Sequence, residues 1–147
     1  VVDWRDVNFK PYIEEIMTSI SHPYDIKLHL HISPNLSVIK LDQGLMKRVL
    51  TNLLTNAVQA MEKISGDIML SAEIEGRNFV VNITDEGTGI PDNVQAKLFQ
   101  PLVTSKAKGM GMGLSVCKRI VEAHGGQLTL ENNRKKGAVA IIKIPLK

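Results

Sequence analysis

Two asparagines four residues apart, Asn52 and Asn56, bracket the segment Asn52-Leu53-Leu54-Thr55-Asn56-Ala57. Helical spacing puts both side chains on the same side of a helix. An amide oxygen is a hard donor of the kind that Mg2+ takes, together with phosphate oxygens and water. The plainer reading is a polar pair on a wetted helix face. Against it, Leu53, Leu54, Ala57 and Val58 set the pair at the edge of an apolar stripe. Gln59 and Lys63 continue that polar edge, where either can touch phosphate oxygens.

A second segment, Asp85-Glu86-Gly87-Thr88-Gly89-Ile90-Pro91, follows a run in which Phe79, Val81 and Ile83 alternate. Asp85 is next in that row. An unbroken strand period turns its carboxylate inward, where a bare charge is costly and a donor is needed. The exocyclic amine of adenine is such a donor, and an Asx turn closing the Gly87–Gly89 loop is the other reading. Glu86 falls on the opposite side and reads as solvated. Gly87 and Gly89 admit positive φ and close approach of the backbone to a ring.

The third segment, Gly109-Met110-Gly111-Met112-Gly113-Leu114, alternates glycines directly ahead of a helix. Free N–H groups and the dipole at a helix start favour phosphate. Such a run alone is often a surface loop without a ligand. Thr104-Ser105-Lys106 before it favours a lid that closes on one, with Lys106 and Lys108 as point charges for phosphate and Phe99 packed at its base. Together the segments provide a magnesium handle, a base-reading carboxylate and a phosphate cover, which are the requirements of an ATP site. No GxxxxGK[ST] loop is present.

The elements that must hold these groups are legible in the hydrophobic pattern. Val1 to Phe9 reads as a short strand and turn. Lys10 to Ser21 has helical spacing through Ile13, Ile16, Met17 and Ile20. Ile26 to Ile32 alternates, with Lys27, His29 and His31 on its polar face. Asp42 is placed to cap a helix whose apolar face runs from Leu45 through Met46, Val49, Leu50, Leu53, Leu54 and Ala57 to Met61. Gly66 to Glu75 and Asn78 to Thr84 read as a hairpin turning at Glu75-Gly76-Arg77. Leu114 to His124 is a further amphipathic helix, ended by Gly125. Gln127 to Leu130 and Ala138 to Ile144 are two closing strands. The order matches neither βαβ repetition nor an all-β fold. It predicts an α+β sandwich, one mixed sheet with helices packed on one face.

Composition narrows the function. At 147 residues the chain is long enough for one domain with a real core, needing no disulfide or structural metal. A net charge of +3, without a dense basic run interleaved with aromatics, argues against nucleic-acid binding. Apolar runs are too short to span a bilayer. The single cysteine, Cys117, cannot pair internally and suits a reducing, cytoplasmic setting; its spacing reads as packing. His29 and His31 lack a third ligand and read as surface residues, and His124 reads as a dipole partner in a last helical turn. The Val1-Val2 start reads as a fragment of a longer protein. No GxSxG hydrolase segment occurs.

These segments, in this order, resemble the ATP-binding catalytic domain of two-component sensor histidine kinases, within the gyrase/heat-shock-chaperone/histidine-kinase/MutL superfamily. Asn52 to Met61 is similar to the N box and Asp85 to Pro91 to the first glycine box. Leu98-Phe99-Gln100-Pro101 with Thr104-Ser105-Lys106 resembles the F box. Gly109 to Leu114, continued by Ile120-Val121-Glu122-Ala123-His124-Gly125-Gly126, resembles the second glycine box, and Gly137-Ala138 to Pro145 the closing segment. The likeness covers nearly all of residues 1–147, and the Gln100-to-Lys106 stretch looks most like the nitrogen-regulation and oxygen-sensing class.

The resemblance implies a Bergerat-type α/β sandwich and the cofactors ATP and Mg2+. It implies Asn56 as metal ligand and Asp85 as the adenine reader. Gly87, Gly89 and Ile90 shape the pocket, while Thr104, Ser105, Lys106, Gly109, Gly111, Gly113 and Leu114 meet the nucleotide. Gln59 stands where many relatives carry a basic residue, and Met110 and Met112 replace commoner lid residues. Asn52 and Asn56 are the catalytic candidates. Asn52 occupies the position of the glutamate base of gyrase- and MutL-type ATPases, and an amide cannot take a proton from water. Phosphoryl transfer to a histidine is therefore expected over hydrolysis. The rival readings are an ATPase module of the gyrase or MutL kind and a non-catalytic nucleotide-binding module. None of the four histidines fits the family's phosphoacceptor segment; His22 is followed at once by Pro23. The expected partners are thus a helical dimerisation and phosphoacceptor domain outside this chain and, through its phosphohistidine, a response regulator.

Overall fold

A computed structural model describes residues 1–62, 64–87, 110–132 and 137–147, with side chains in the third stretch from Gly113 onward. The described elements are β1 (Arg5–Asn8), α1 (Phe9–Thr18), β2 (Ile26–Ile32), β3 (Val38–Leu41), α2 (Gln43–Ala60), β4 (Gly66–Glu75), β5 (Asn78–Thr84), α3 (Met110–Ala123), β6 (Gln127–Asn132) and β7 (Ala138–Pro145). Five strands form one sheet in the order β2-β4-β5-β7-β6. It is mixed: β2 runs parallel to β4, and the other pairs are antiparallel. β1 and β3 make a separate antiparallel pair.

Alternation decides which face of the sheet is inside. Leu70 lies opposite Ile83, Ile83 opposite Ala140, and Leu130 opposite Ala140 on the far side. The next inner row joins Ala72, Val81, Ile142 and Leu128. Helix α2 covers this face with Met46, Val49, Leu50, Leu53, Leu54 and Ala57, all buried. One core cluster runs from these residues through Phe9, Ile13 and Ile16 of the α1 region to Leu114, Cys117 and Val121 of α3. Phe9 meets Phe79 edge-on at 5.2 Å, joining α1 to the centre of the sheet. This is the expected α/β sandwich.

The structure departs from the sequence pattern in three places. Strand β3 was not legible: it has four residues and owes its form to pairing with β1, thirty or more residues distant in sequence. Helix α3 begins at Met110, four residues before the apolar pattern that starts at Leu114. Gly111 and Gly113 therefore sit in its first turn, not in a loop ahead of it. The third departure is His124, which does more than face the helix dipole. It is only 3% exposed, its Nδ1 meets the Ile120 carbonyl oxygen at 2.8 Å, and its Nε2 accepts the Asp42 N–H at 3.2 Å. A carbonyl only accepts, so Nδ1 carries the proton and Nε2 the lone pair. Trp4 packs edge-on against the same ring at 5.1 Å, and the Lys147 ammonium lies 4.7 Å from the Trp4 ring centre. The two chain ends, the start of α2 and the end of α3 thus meet around one imidazole.

Asp42 completes that junction. Its Oδ1 accepts the Leu45 N–H at 3.0 Å as an N-cap, and its Oδ2 accepts the Asp3 N–H at 2.9 Å. Asp42→Ala should lower unfolding free energy by about 1 kcal/mol, the usual cost of a lost cap. A urea midpoint unchanged from wild type would contradict this assignment of α2's start.

Candidate functional site

Asp85 leaves the end of β5 on the inner face, as the alternation predicts, and is 6% exposed. Its backbone N–H continues the sheet by donating to the Ala138 carbonyl at 3.0 Å. Its Oδ1 accepts two backbone N–H groups, Gly87 at 2.8 Å and Ala138 at 3.3 Å. Among the described residues Oδ2 takes no hydrogen bond. The Asx-turn reading is thus realised through Oδ1, and Oδ2 is left open. Burial pushes the Asp85 carboxyl above the usual aspartate range, and the two backbone donors pull against that shift.

Two glycines permit this placement. A Cβ on Gly137, at φ +78°, would overlap the Asp85 carbonyl oxygen and stand 2.8 Å from Oδ1. A Cβ on Gly87 would overlap the carbonyl oxygen of Ala60, the last residue of α2. Gly137 went unrecognised as a site residue because a glycine after Arg134-Lys135-Lys136 looks like any strand-entry turn. Only the register of β7 against β5 brings it under Asp85. Glu86 is also more ordered than its solvated position implied: its Oε1 accepts the Asp67 N–H at 2.6 Å, tying the loop to the start of β4.

Asn56 and Asp85 line one cleft, whose remaining wall is apolar and includes Leu53, Ala57, Ile83, Leu114 and Ala140. The Asn56 side chain is half-buried, and its Nδ2 is buried without a hydrogen-bond partner among the described residues. A buried amide nitrogen in that state calls for a partner such as a water, an ion or a ligand. Asn52, one turn earlier and also half-buried, points its amide nitrogen at Cys117 Sγ on α3, 3.7 Å away. The wetted-face reading therefore fails for both asparagines. Gln59 is exposed and does not line the cleft. Leu114 is buried in the cleft wall, and Gly113 and the backbone of Gly111 lie in the first turn of α3. Gly89, Ile90, Thr104, Ser105, Lys106 and Gly109, with Lys63, Phe99 and Lys108, lie outside the described residues. The surface histidines carry no metal site: His29 pairs with Asp67 at 2.7 Å, both exposed, and no cluster of three metal-ligating side chains occurs among the described residues.

An apolar cleft with one carboxylate oxygen anchored and the other taking no hydrogen bond among the described residues can accept an apolar group that carries an amine. The comparisons with known proteins agree. Residues 41–147 match the model of the histidine kinase-, DNA gyrase B-, and HSP90-like ATPase family. The nitrogen regulation protein NtrY of Azorhizobium caulinodans is 33% identical across the whole chain, which spans 20% of that protein. The catalytic domain of histidine kinase ThkA, in a nucleotide-free form, superposes with a TM-score of 0.84 at 29% identity, covering 98% of each chain. ThkA solved with the response regulator protein TrrA superposes at 0.81 and 27% identity, over all of this chain and 43% of that one. The chain belongs to the histidine kinase-, DNA gyrase B- and HSP90-like ATPase family. Within it, the solved neighbour ThkA is a histidine kinase, and this domain is an ATP-binding one of the histidine kinase type. No helix among the described residues is long and apolar enough to cross a membrane.

Two outcomes test this geometry. Gly137→Ala should destabilise the domain by more than about 1 kcal/mol, because the left-handed backbone and the Asp85 carbonyl both reject a Cβ; its urea midpoint reads this out. The second test is pH. Because burial raises the Asp85 pKa, the native state holds this proton at pH values where the unfolded chain has lost it. Its contribution to stability is therefore fully present below the unfolded value of about 3.9 and is lost as pH rises through the raised native value. Ligand binding runs the other way, since accepting an amine needs the ionised form. ADP affinity should fall on acidification before an ordinary aspartate would titrate. Asp85→Asn should remove that limb and cost more than about tenfold at neutral pH, or 1.4 kcal/mol. Phosphate titration is common to both proteins and cancels in their affinity ratio.

Proposed function

We propose that this domain binds Mg-ATP and passes the γ-phosphoryl group to a histidine on a separate helical dimerisation domain, as the energy-supplying part of a two-component sensor kinase. The observation that carries the reading is the cleft in which Asp85 and Asn56 converge on apolar walls. Residues 1–147 act as one catalytic ATP-binding unit, placed in the cytoplasm. The phosphoacceptor and dimerisation segment is a partner, and a response regulator follows through the phosphohistidine. ThkA, a related kinase solved in complex with the response regulator protein TrrA, supports a response regulator as a partner.

In this reading the Asp85 Oδ2 accepts the adenine amine while Oδ1 stays on the Gly87 and Ala138 N–H groups. Guanine has a carbonyl oxygen in place of that amine and leaves Oδ2 unpaired, which costs affinity. Leu53, Ile83 and Leu114 exclude water from the ring faces. The donor set fits a hard divalent cation: Asn56 supplies a neutral amide oxygen, leaving phosphates and water to complete the shell. Asn56 Oδ1 is the metal ligand, and its buried Nδ2, unpaired in this state, meets a phosphate oxygen or a bound water. When bound, Mg2+ neutralises phosphate charge. Gly111 and Gly113 leave the first turn of α3 open to phosphate through its free N–H groups. Lys106, with Thr104 and Ser105, serves the same phosphates, and Gly89, Ile90 and Gly109 close over the nucleotide.

Phosphoryl transfer needs no base from this chain. A neutral imidazole attacks with its own lone pair, the nitrogen–phosphorus bond forms, the bond from phosphorus to the β–γ bridging oxygen breaks, and ADP leaves. Water, by contrast, needs a proton acceptor, and Asn52 has none to offer. Catalysis is then positioning and charge neutralisation. The test is to mix the domain with Mg-ATP and the helical histidine fragment of its parent protein. Acid-labile phosphohistidine on the fragment is expected, with at least about a tenfold loss in Asn56→Ala, the scale of a removed metal ligand or its support. No phosphohistidine at any fragment concentration sinks the kinase reading. Rapid ATP hydrolysis by the isolated domain would favour the ATPase instead.

A further inference from the structure

Cys117 is fully buried on α3, and its thiol stands between two groups of α2. Sγ lies 3.9 Å from the Val49 carbonyl oxygen and 3.7 Å from the Asn52 amide nitrogen. The thiol has one proton. The Val49 carbonyl can only accept, so donating to it satisfies the S–H and leaves the sulfur as an acceptor for Asn52. Burial raises the Cys117 pKa, which keeps that proton in place. A second contact points the same way. Of the Asn52 side chain, a Cβ built on Gly113 would come nearest to the amide nitrogen, at 3.7 Å, with Cγ at 3.9 Å. The nitrogen end of the amide therefore faces α3 at both Gly113 and Cys117, and the oxygen end faces away.

We propose that Cys117 is a positioning residue for Asn52. Its sulfur holds the amide N–H and so turns Oδ1 toward the side of α2 that Asn52 shares with Asn56, where it accepts a hydrogen bond from the water shell of a divalent cation. The inference rests on the kinase reading for its consequence, and on the hydrogen-bond geometry alone for the orientation. It gives the buried thiol a role other than filling space. It also links the orientation of a site amide to the packing of α3, the helix whose first turn carries the glycines.

The test uses Cys117→Val, which keeps the volume and removes both hydrogen bonds, and Cys117→Ser, which keeps a donor and an acceptor. Cys117→Ala replaces the valine variant if that fails to fold. In the isotope-labelled, nucleotide-free domain, the Asn52 side-chain NH2 resonances, assigned by Asn52→Asp, should shift in Cys117→Val and return toward wild type in Cys117→Ser. In phosphotransfer to the histidine fragment, Cys117→Val should lose three- to tenfold in kcat with KM for ATP held within twofold, and serine should recover most of it. Unshifted Asn52 resonances in Cys117→Val, or equal kcat losses in the valine and serine variants, overturn the proposal. If the wild-type domain transfers no phosphoryl group, the kinase reading fails, and the resonances still decide the orientation.

Discussion

A buried carboxylate with one oxygen tied down and the other left open organises this domain. Placing Asp85 on the inner face at the end of β5 takes a charge out of water, and two backbone N–H groups recover only part of that loss. The arrangement exists because β7 brings Ala138 to the right register beside β5 and because Gly137 leaves room beneath the Asp85 carbonyl. On the other side Gly87 lets the loop close against the last carbonyl of α2. Sheet register, glycine placement and helix position all converge on one side chain that opposes folding when charged. A group held at such expense, facing a cleft, is a candidate for ligand binding.

Helix α2 is the rigid partner to that carboxylate. Its broad apolar face buries six side chains and leaves both asparagines half-buried, Asn56 in the cleft wall and Asn52 against Cys117. The helix is fixed at its start by Asp42 and the buried imidazole of His124, and along its length by α3. Asn56 can therefore keep an unpaired amide nitrogen without the helix adjusting to satisfy it. The same rigidity holds Asn52 within reach of Cys117.

The chemistry follows from what these positions lack as much as from what they hold. In the proposed function, an amide at residue 52 can orient water but not deprotonate it, which favours a nucleophile that arrives with its own lone pair. The fold alone would not separate these cases, since the family to which the chain belongs includes kinase-, gyrase- and chaperone-type members. In the proposed function one side chain, Asn52, carries the distinction.

Much of this was readable in the linear sequence, because period-two and period-3.6 patterns report burial directly. The alternation of Phe79, Val81 and Ile83 put Asp85 inside, the β4–β5 hairpin and α2 appeared where the pattern placed them, and the four-residue spacing put both asparagines on one side. These are local properties, set by how a strand or helix presents successive side chains. What the pattern could not carry were the relations between distant segments. Strand β3 exists only through β1, His124 is a hub only because Trp4 and Asp42 fold onto it, and Gly137 matters only because β7 lies beside β5. The early start of α3 escaped because glycine opposes helix by itself and yields only to tertiary packing. The sequence by itself thus determined which residues face a core and which chemistry they bring. The tertiary structure decided which oxygen of Asp85 is tied, which end of Asn52 faces α3, and which glycines make room, because those depend on contacts between residues far apart along the chain.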